Sequence, residues 1–250
     1  MESIYTQEFQ VTDNCVDRFG KLKLSTLLYF SQEVAGRHFD RIAMTYDQLA
    51  QRGMFWAIIR QRVRITRLPQ SGETIRVETW PMPNTRVAFP RTVVAYDGKG
   101  QELFQVLSLW VLMDVNTRAM ILPGKSGIAL PGTVRGDELL PPASLPAKNL
   151  LNHRARTVCF TDLDRNGHMN NTKYLEWLSD LLPSHFHRDH EPREFTVCYH
   201  AEARETDSLH LSWQVDESGL LQVESWKDSP ADNSFHRIFA AQVRYENKIL

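Results

Sequence analysis

The segment VCFTDLDRNGHMNNTKYLEWLSDLLPSHF, residues 158–186, decides the fold because the chain carries a second version of it. Shifted by 147 positions, it falls without a gap on VTDNCVDRFGKLKLSTLLYFSQEVAGRHF, residues 11–39. Seven of these 29 positions are identical, where unrelated sequences would share roughly two. In the first copy the identical residues are Val11, Asp17, Arg18, Gly20, Leu28, His38 and Phe39. The sequence therefore predicts a duplicated structural unit.

Both copies also repeat an apolar stripe at spacings of three and four residues, which is typical of a helix with one buried face. The stripe positions are Leu27, Phe30 and Val34 in the first copy and Tyr174, Trp177 and Leu181 in the second. Strand-like segments follow each helix, beginning with FWAIIRQRVRITR (55–67) and EFTVCYHAEA (194–203). One helix followed by antiparallel strands, twice over, predicts an α+β fold.

A segment rich in proline and glycine separates the two copies. It begins as LPGKSGIALPGTVRGDELLPPASLPAKN and is typical of a linker that crosses a protein surface. We therefore predict an N-terminal unit over residues 1–121, a linker over 122–156 and a C-terminal unit over 157–250.

Composition excludes several classes of protein. The formal net charge is −1, so no overall field favours nucleic acid or a membrane surface. The longest apolar run, LFQVLSLWVLM at 103–113, is too short to span a bilayer and predicts a buried strand. The start, MESIYTQEFQ, lacks the pattern of a secretory signal. Three scattered cysteines, Cys15, Cys159 and Cys198, fit reduced thiols in a cytoplasmic protein.

The two copies differ at a cluster of polar residues just before the second helix. The added residues are Asn166, His168, Asn170 and Asn171, and the first copy has Phe19, Lys21, Lys23 and Leu24 in their places. The shared Asp, Arg and Gly suit a turn or a helix cap. Because the first copy builds the unit without the added residues, we predict that the second copy carries the chemistry.

The run DLDRNGHMNNTKYLEWLSDLLP resembles the signature of the acyl-acyl carrier protein (acyl-ACP) thioesterases, a double hotdog family of plants and bacteria. The family's Asp-x-Asn-x-His motif is matched by Asp164, Asn166 and His168. Its Tyr-x-x-Glu pattern is matched by Tyr199 and Glu202. The resemblance implies two tandem hotdog units, each a long helix wrapped by an antiparallel sheet.

The resemblance also implies a set of site residues. The implied catalytic residues are Asp164, Asn166, His168 and Glu202, and the implied substrate contacts are Asn170, Asn171, Tyr199 and, in the first unit, Trp56. Plant members have a Cys directly after the Glu, where this chain has Ala203. On a regular strand Cys198 shares a face with Glu202 and is a minor alternative nucleophile.

Thioester hydrolysis requires an activated water, and either Asp164 or Glu202 is a candidate base. We favour Glu202, because burial beneath a fatty chain would raise the pKa of its carboxyl group. Direct attack by a carboxylate remains an alternative, and helix capping is an alternative role for Asp164. Backbone N–H groups of Gly167 and His168 are predicted to hold the oxyanion, because they lie near a helix N-terminus.

The resemblance implies release of free fatty acid from acyl carrier protein, without cofactor. The alternatives are an acyl-CoA thioesterase, a hydroxyacyl-thioester dehydratase and a non-catalytic acyl-binding module. The histidines of HFHRDH (185–190) do not predict a metal site, because Pro183 disrupts their spacing and the first copy repeats one of them. We expect no nucleic acid and no membrane insertion. Homodimer formation is left open by the sequence.

Overall fold

The structure is a computed structural model that describes residues 3–43, 45–137, 139–229 and 234–248. The chain divides into two compact units, Met1–Pro142 and Ala143–Leu250. The boundary between them falls inside the segment 122–156. Among the described residues, no helix combines the length and the apolar composition that a membrane span requires.

The first unit contains six strands and three helices among its described residues. They are β1 (Tyr5–Gln10), α1 (Leu24–Ile42), α2 (Tyr46–Gln51), β2 (Met54–Ile65), β3 (Thr74–Pro81), β4 (Phe89–Tyr96), β5 (Glu102–Asp114), β6 (Met120–Ile121) and α3 (Pro123–Ser126). The sheet order is β1-β3-β4-β5-β2, with β6 beside β5, and all of these pairs are antiparallel. The apolar run at 103–113 lies within β5, which confirms the predicted buried strand.

The second unit contains five strands and two helices among its described residues. They are β7 (Asn152–Thr157), α4 (Asn171–Ser179), α5 (Ser184–Asp189), β8 (His190–Tyr199), β9 (Ser208–Val215), β10 (Leu220–Ser229) and β11 (Ser234–Asn247). The sheet order is β7-β9-β10-β11-β8, again antiparallel throughout. This is the order of the first unit, strand for strand, so the duplication extends from the sequence to the topology.

Each predicted helical stripe is buried. Leu27 and Val34 have no exposed surface, and α1 packs on β1, β3 and β4. In the second unit Trp177 is 1% exposed, and the ring of Tyr174 stacks on Phe239 of β11 at a centroid distance of 4.9 Å. The predicted burial of the stripes is therefore confirmed, although Leu181 of the second stripe lies beyond the end of α4.

The second helix is shorter than the resemblance implies. Helix α1 has 19 residues and α4 has 9, ending at Ser179 before the stripe residue Leu181. The cause is Pro183, which lacks a backbone N–H and disfavours helical geometry in the residue before it. The first copy has Gly36 at this position, inside α1.

The segment predicted as a linker contains regular structure at both ends. Helix α3 lies near its start, and β7 begins before its end and pairs with β9. Between them, the backbone N–H of Lys148 donates to Glu224 Oε1 at 2.7 Å, and Arg237 Nη1 donates to the Leu145 carbonyl at 2.6 Å. Leu150 is 4% exposed. These contacts make residues 145–150 part of the second unit's packing.

Candidate active site

The motif Asp164-x-Asn166-x-His168 forms a closed turn before α4. Asp164 Oδ1 accepts hydrogen bonds from the backbone N–H groups of Asn166 at 2.8 Å and His168 at 3.2 Å. The backbone N–H of Asp164 donates to the His168 carbonyl at 2.7 Å. Gly167 takes a φ of 74°, which favours glycine. The turn fixes the backbone from which His168 projects.

The first unit builds the same turn without the Asn and His residues. Asp17 Oδ1 accepts from the N–H groups of Phe19 at 2.8 Å and Lys21 at 3.1 Å, and Gly20 has a φ of 76°. The same backbone bond joins Asp17 to the Lys21 carbonyl at 2.8 Å. A carboxylate in the same place in both units has a structural role in both. The duplication therefore supports the capping and turn alternative for Asp164.

Substitutions at the two aspartates separate turn support from chemistry. We expect Asp164→Asn to keep its rate of thioester hydrolysis within about threefold, because an amide Oδ1 still accepts both N–H bonds. Asp164→Ala and Asp17→Ala each lose those bonds, and each should lower the free energy of unfolding by about 1–2 kcal/mol. Denaturant unfolding and thiol release measure the two effects. A loss of more than a hundredfold in Asp164→Asn would instead identify Asp164 as the base.

The second unit brings an imidazole and a carboxylate into contact. His168 Nε2 lies 3.1 Å from Glu202 Oε2, and the two side chains are 12% and 38% exposed. Arg204 Nη2 lies 3.9 Å from the same carboxylate oxygen. Because an ionised carboxylate only accepts hydrogen bonds, Nε2 carries the proton of this contact. His168 and Glu202 thus form a hydrogen-bonded pair at the edge of the turn.

The first unit lacks this pair. An isolated β-bridge joins His168 to Arg204, and the equivalent bridge in the first unit joins Lys21 to Gln70. Glu202 lies two residues before Arg204, and Leu68 lies two residues before Gln70. Leu68 therefore occupies the position equivalent to Glu202. The first unit therefore has Lys21 and Leu68 in place of an imidazole and a carboxylate.

Glu202 does not lie on a strand, contrary to the sequence prediction. Strand β8 ends at Tyr199, and the chain turns away before Glu202. The alternation that placed Cys198 on the face of Glu202 therefore does not apply.

The Cys198 side chain is buried. The residue is 1% exposed, and its thiol contacts the Ala143 carbonyl at 3.6 Å. Cys15, Cys159 and Cys198 form no disulfide within the described residues.

The predicted oxyanion donors are already occupied. The N–H of Gly167 donates to the Asp164 carbonyl at 3.0 Å, and the N–H of His168 donates to the Asp164 side chain. The helix begins only at Asn171, after the cap residue Asn170. The oxyanion prediction for these two groups is therefore wrong, because the turn uses their hydrogen bonds.

The asparagine pair and Tyr199 lock the start of α4. Asn170 Oδ1 accepts from the N–H of Thr172 at 2.9 Å and from its hydroxyl at 2.8 Å. The Tyr199 hydroxyl donates to the Asn171 carbonyl at 3.2 Å. Burial raises the pKa of Tyr199 well above its usual value, so the hydroxyl stays a neutral donor. These contacts give Asn170, Asn171 and Tyr199 a structural role, whereas the resemblance places them beside the substrate.

Two other predicted site residues lie in different surroundings. The Asn166 side chain is exposed on the turn. Trp56 belongs to the first unit, where its ring stacks on Phe39 at 4.6 Å and meets Phe89 edge-on at 4.9 Å. Trp56 is therefore part of an aromatic cluster of that unit.

The histidines near α5 bond to the backbone. His187 Nε2 lies 3.0 Å from the Ser179 carbonyl, and His190 Nδ1 lies 2.9 Å from the Phe186 carbonyl. The ring of His190 also stacks on Phe186 at 4.1 Å. These contacts give both imidazoles a role in fixing the chain around α5.

Sequence reasoning missed Arg204. Its backbone pairs with His168 and its guanidinium approaches Glu202, so it lies against both members of the pair. The sequence places Arg204 two residues after Glu202. This spacing does not predict a contact unless the path of the loop is known.

The topology and the pair together define a class. Two units share one strand order, each with a helix on an antiparallel sheet, and one of them carries the imidazole–carboxylate pair. The chain is a tandem hotdog protein of the α+β class.

Profiles of a known family match both units. The acyl-ACP thioesterase N-terminal domain matches residues 2–122, and the acyl-ACP thioesterase C-terminal domain matches residues 147–233. The chain belongs to the acyl-ACP thioesterase family.

Plant proteins are among its relatives. The chloroplastic palmitoyl-acyl carrier protein thioesterase of Gossypium hirsutum is 24% identical over 230 residues, covering 86% of this chain and 56% of the plant protein. The chloroplastic dodecanoyl-[acyl-carrier-protein] hydrolase of Cinnamomum camphora is 27% identical over 209 residues, covering 76% and 55%. The chain therefore spans little more than half the length of these relatives.

Solved structures of similar proteins agree in fold. An acyl-ACP thioesterase from Bacteroides thetaiotaomicron superposes with a TM-score of 0.79 at 23% identity, covering 97% of this chain and 98% of that protein. A 12:0-ACP thioesterase from Umbellularia californica superposes with a TM-score of 0.82 at 21% identity, covering 98% of each. At these identities the likeness establishes the double hotdog fold.

Proposed function

We propose that the chain is a thioester hydrolase that releases free fatty acid from acyl-acyl carrier protein. Membership of the acyl-ACP thioesterase family supports this function, as do the substrates named for its plant relatives. The observation that carries it is the contact between His168 and Glu202, found in one of two otherwise matching units. We propose acyl carrier protein as the partner and the cytoplasm as the location.

In the proposed reaction, Glu202 takes a proton from water as the water oxygen attacks the thioester carbonyl carbon. The tetrahedral intermediate collapses with breakage of the carbon–sulfur bond. The leaving group is a thiolate, and because the ordinary pKa of a thiol is about 8.5 it departs readily. The thiolate then takes the proton that Glu202 holds. The Nε2–H of His168 keeps the carboxylate in place, and Asn166 orients the water or the carbonyl.

The same contact also fits a mechanism with the two roles exchanged. In it the Glu202 carboxylate orients the imidazole, and His168 Nδ1 takes the proton from water. Imidazole is the commonest general base among protein side chains. Both assignments use the same two side chains and predict different rankings of their variants. Without substrate, the Glu202 side chain is 38% exposed, so water can reach its carboxylate.

Thiol release from acyl carrier protein loaded with C8 to C18 chains tests the function. We expect turnover on these substrates, free thiol and fatty acid in equal amounts, and lower kcat/KM on the matching acyl-CoA. Equal or higher kcat/KM on acyl-CoA would assign the chain to that substrate class. An enoyl product without free thiol would identify a dehydratase, and binding without thiol release would identify an acyl-binding module.

The thiol of Cys198 is expected to be dispensable. Its burial and its contact with the Ala143 carbonyl leave it no role in attack on a thioester. Cys198→Ala should retain thiol release within about twofold of the unmodified protein, because the substitution removes a small and weakly bonded group. A loss of activity with unchanged thermal stability would restore Cys198 as a nucleophile.

A further inference from the structure

A fully buried arginine lies in the first unit, whereas the His168 turn belongs to the second unit. Arg91 on β4 is 1% exposed. Arginine is almost never fully buried unless it is paired with an acidic group. Among the described residues no carboxylate pairs with Arg91, and burial lowers the pKa of its guanidinium to about 9. Within the described ranges, no negative charge therefore compensates this cation.

One end of the guanidinium is held firmly. Arg91 Nη1 lies 3.1 Å from His38 Nδ1 and 3.1 Å from Thr79 Oγ1. The ring of Phe39 covers one face of the group, with its centroid 4.1 Å from Cζ. Both hydrogen bonds use the same nitrogen, so they fix the orientation of the planar group and leave its other edge unused.

The other edge is the one that recognises carboxylates. Arg91 Nε and Nη2 are buried, and no described residue accepts a hydrogen bond from either. Their N–H bonds run parallel along one side of the plane, which matches the two oxygens of a carboxylate. An unmade pair of charged hydrogen bonds in a protein interior costs several times more than a neutral one. A bound carboxylate would satisfy both donors and the charge together.

The ring that covers Arg91, Phe39, belongs to an aromatic cluster of the first unit. Phe39 stacks on Trp56 and meets Trp110 edge-on at 5.7 Å, and no residue that the structure describes accepts a hydrogen bond from the buried Trp56 indole N–H. Such walls favour an anion that carries an aliphatic chain over a small hydrated ion. We propose that Arg91 binds the carboxylate of an aliphatic acid inside the first unit.

This inference goes beyond the proposed hydrolysis and does not depend on it. If the chain releases fatty acid, the product belongs to the chemical class that this site would hold. If the chain releases none, the unused edge of Arg91 still requires an occupant of the same kind. A binding measurement without turnover keeps the two proposals separate.

Isothermal titration calorimetry with decanoate, decanol and acetate tests the proposal. We expect decanoate to bind at least tenfold more tightly than decanol, which keeps the chain but lacks the charge, and than acetate, which keeps the charge but lacks the chain. Tighter binding of acetate than of decanoate would identify a small-anion site and overturn the aliphatic part of the proposal.

Variants locate the binding. Arg91→Met should weaken decanoate binding about tenfold or more while binding of decanol is unchanged. Arg86→Met removes an exposed arginine before the same strand and should change nothing. His168→Ala should keep decanoate binding. If His168→Ala abolishes it and Arg91→Met keeps it, decanoate is bound as a product at the His168 turn and the proposal fails.

The proposal stays testable if Arg91→Met does not fold. Arg91→Lys keeps the positive charge but cannot offer two parallel N–H bonds, so decanoate should bind it more weakly than the unmodified protein. The comparison of decanoate with decanol needs no variant at all. Equal affinity for these two ligands in the unmodified protein would overturn the proposal by itself.

Discussion

His168→Ala is expected to lower kcat/KM for acyl-acyl carrier protein by about 10²–10⁴, the range typical of a lost acid–base partner. The imidazole contacts Glu202 at 3.1 Å, and alanine removes this hydrogen bond to the carboxylate. Thiol release, followed with a colorimetric thiol reagent, measures the effect. The substitution leaves the turn intact, because the turn uses only the backbone of His168.

The first unit supplies a matched control. Lys21 occupies the equivalent turn position, and its backbone makes the equivalent hydrogen bond to Asp17. Lys21→Ala should therefore leave kcat/KM within about twofold. Comparable losses in both variants would mean that the two turns contribute equally, and the assignment of chemistry to the second unit would be wrong.

Glu202→Gln is expected to lower kcat/KM by a similar factor of about 10²–10⁴. Glutamine keeps the size of the side chain and an oxygen that can accept from His168 Nε2, but it loses the negative charge and the ability to take a proton. Glu205→Gln removes an exposed carboxylate three residues later and should leave the rate within about twofold. The same thiol assay measures both variants.

The ranking of the two variants assigns the base. If Glu202 takes the water's proton, Glu202→Gln should lose at least as much activity as His168→Ala. If Glu202 only holds the imidazole, His168→Ala should lose more activity than Glu202→Gln. Activity close to that of the unmodified protein in both variants would remove the pair from the mechanism.

Much of the fold could be predicted because the two units repeat the same short-range sequence patterns. The stripes at Leu27 and Tyr174 follow from helical periodicity, and the apolar run within β5 follows from its length. The identity of Asp17 with Asp164 and of Gly20 with Gly167 indicated a shared turn, because only a few residues suit a carboxylate-closed turn with a positive φ. The structure confirms both the stripes and the turn.

The contacts of the site were less predictable. The sequence indicated Glu202 by resemblance, but periodicity placed it on a strand that ends three residues earlier. It also assigned the N–H groups of Gly167 and His168 to the oxyanion, whereas the turn uses their hydrogen bonds. The burial of Arg91 was equally hidden, because β4 reads as an ordinary strand and its neighbours His38 and Thr79 come from other elements.

Local order in the chain therefore predicted the main helix and strands of each unit but not where each of them ends, and it predicted that one unit differs from the other. The path of the loop after β8 settled that an imidazole and a carboxylate 34 positions apart meet. Backbone preferences act over a few residues and leave a periodic mark in the sequence. Contacts between distant side chains depend on how whole elements pack, and no short stretch of sequence records that.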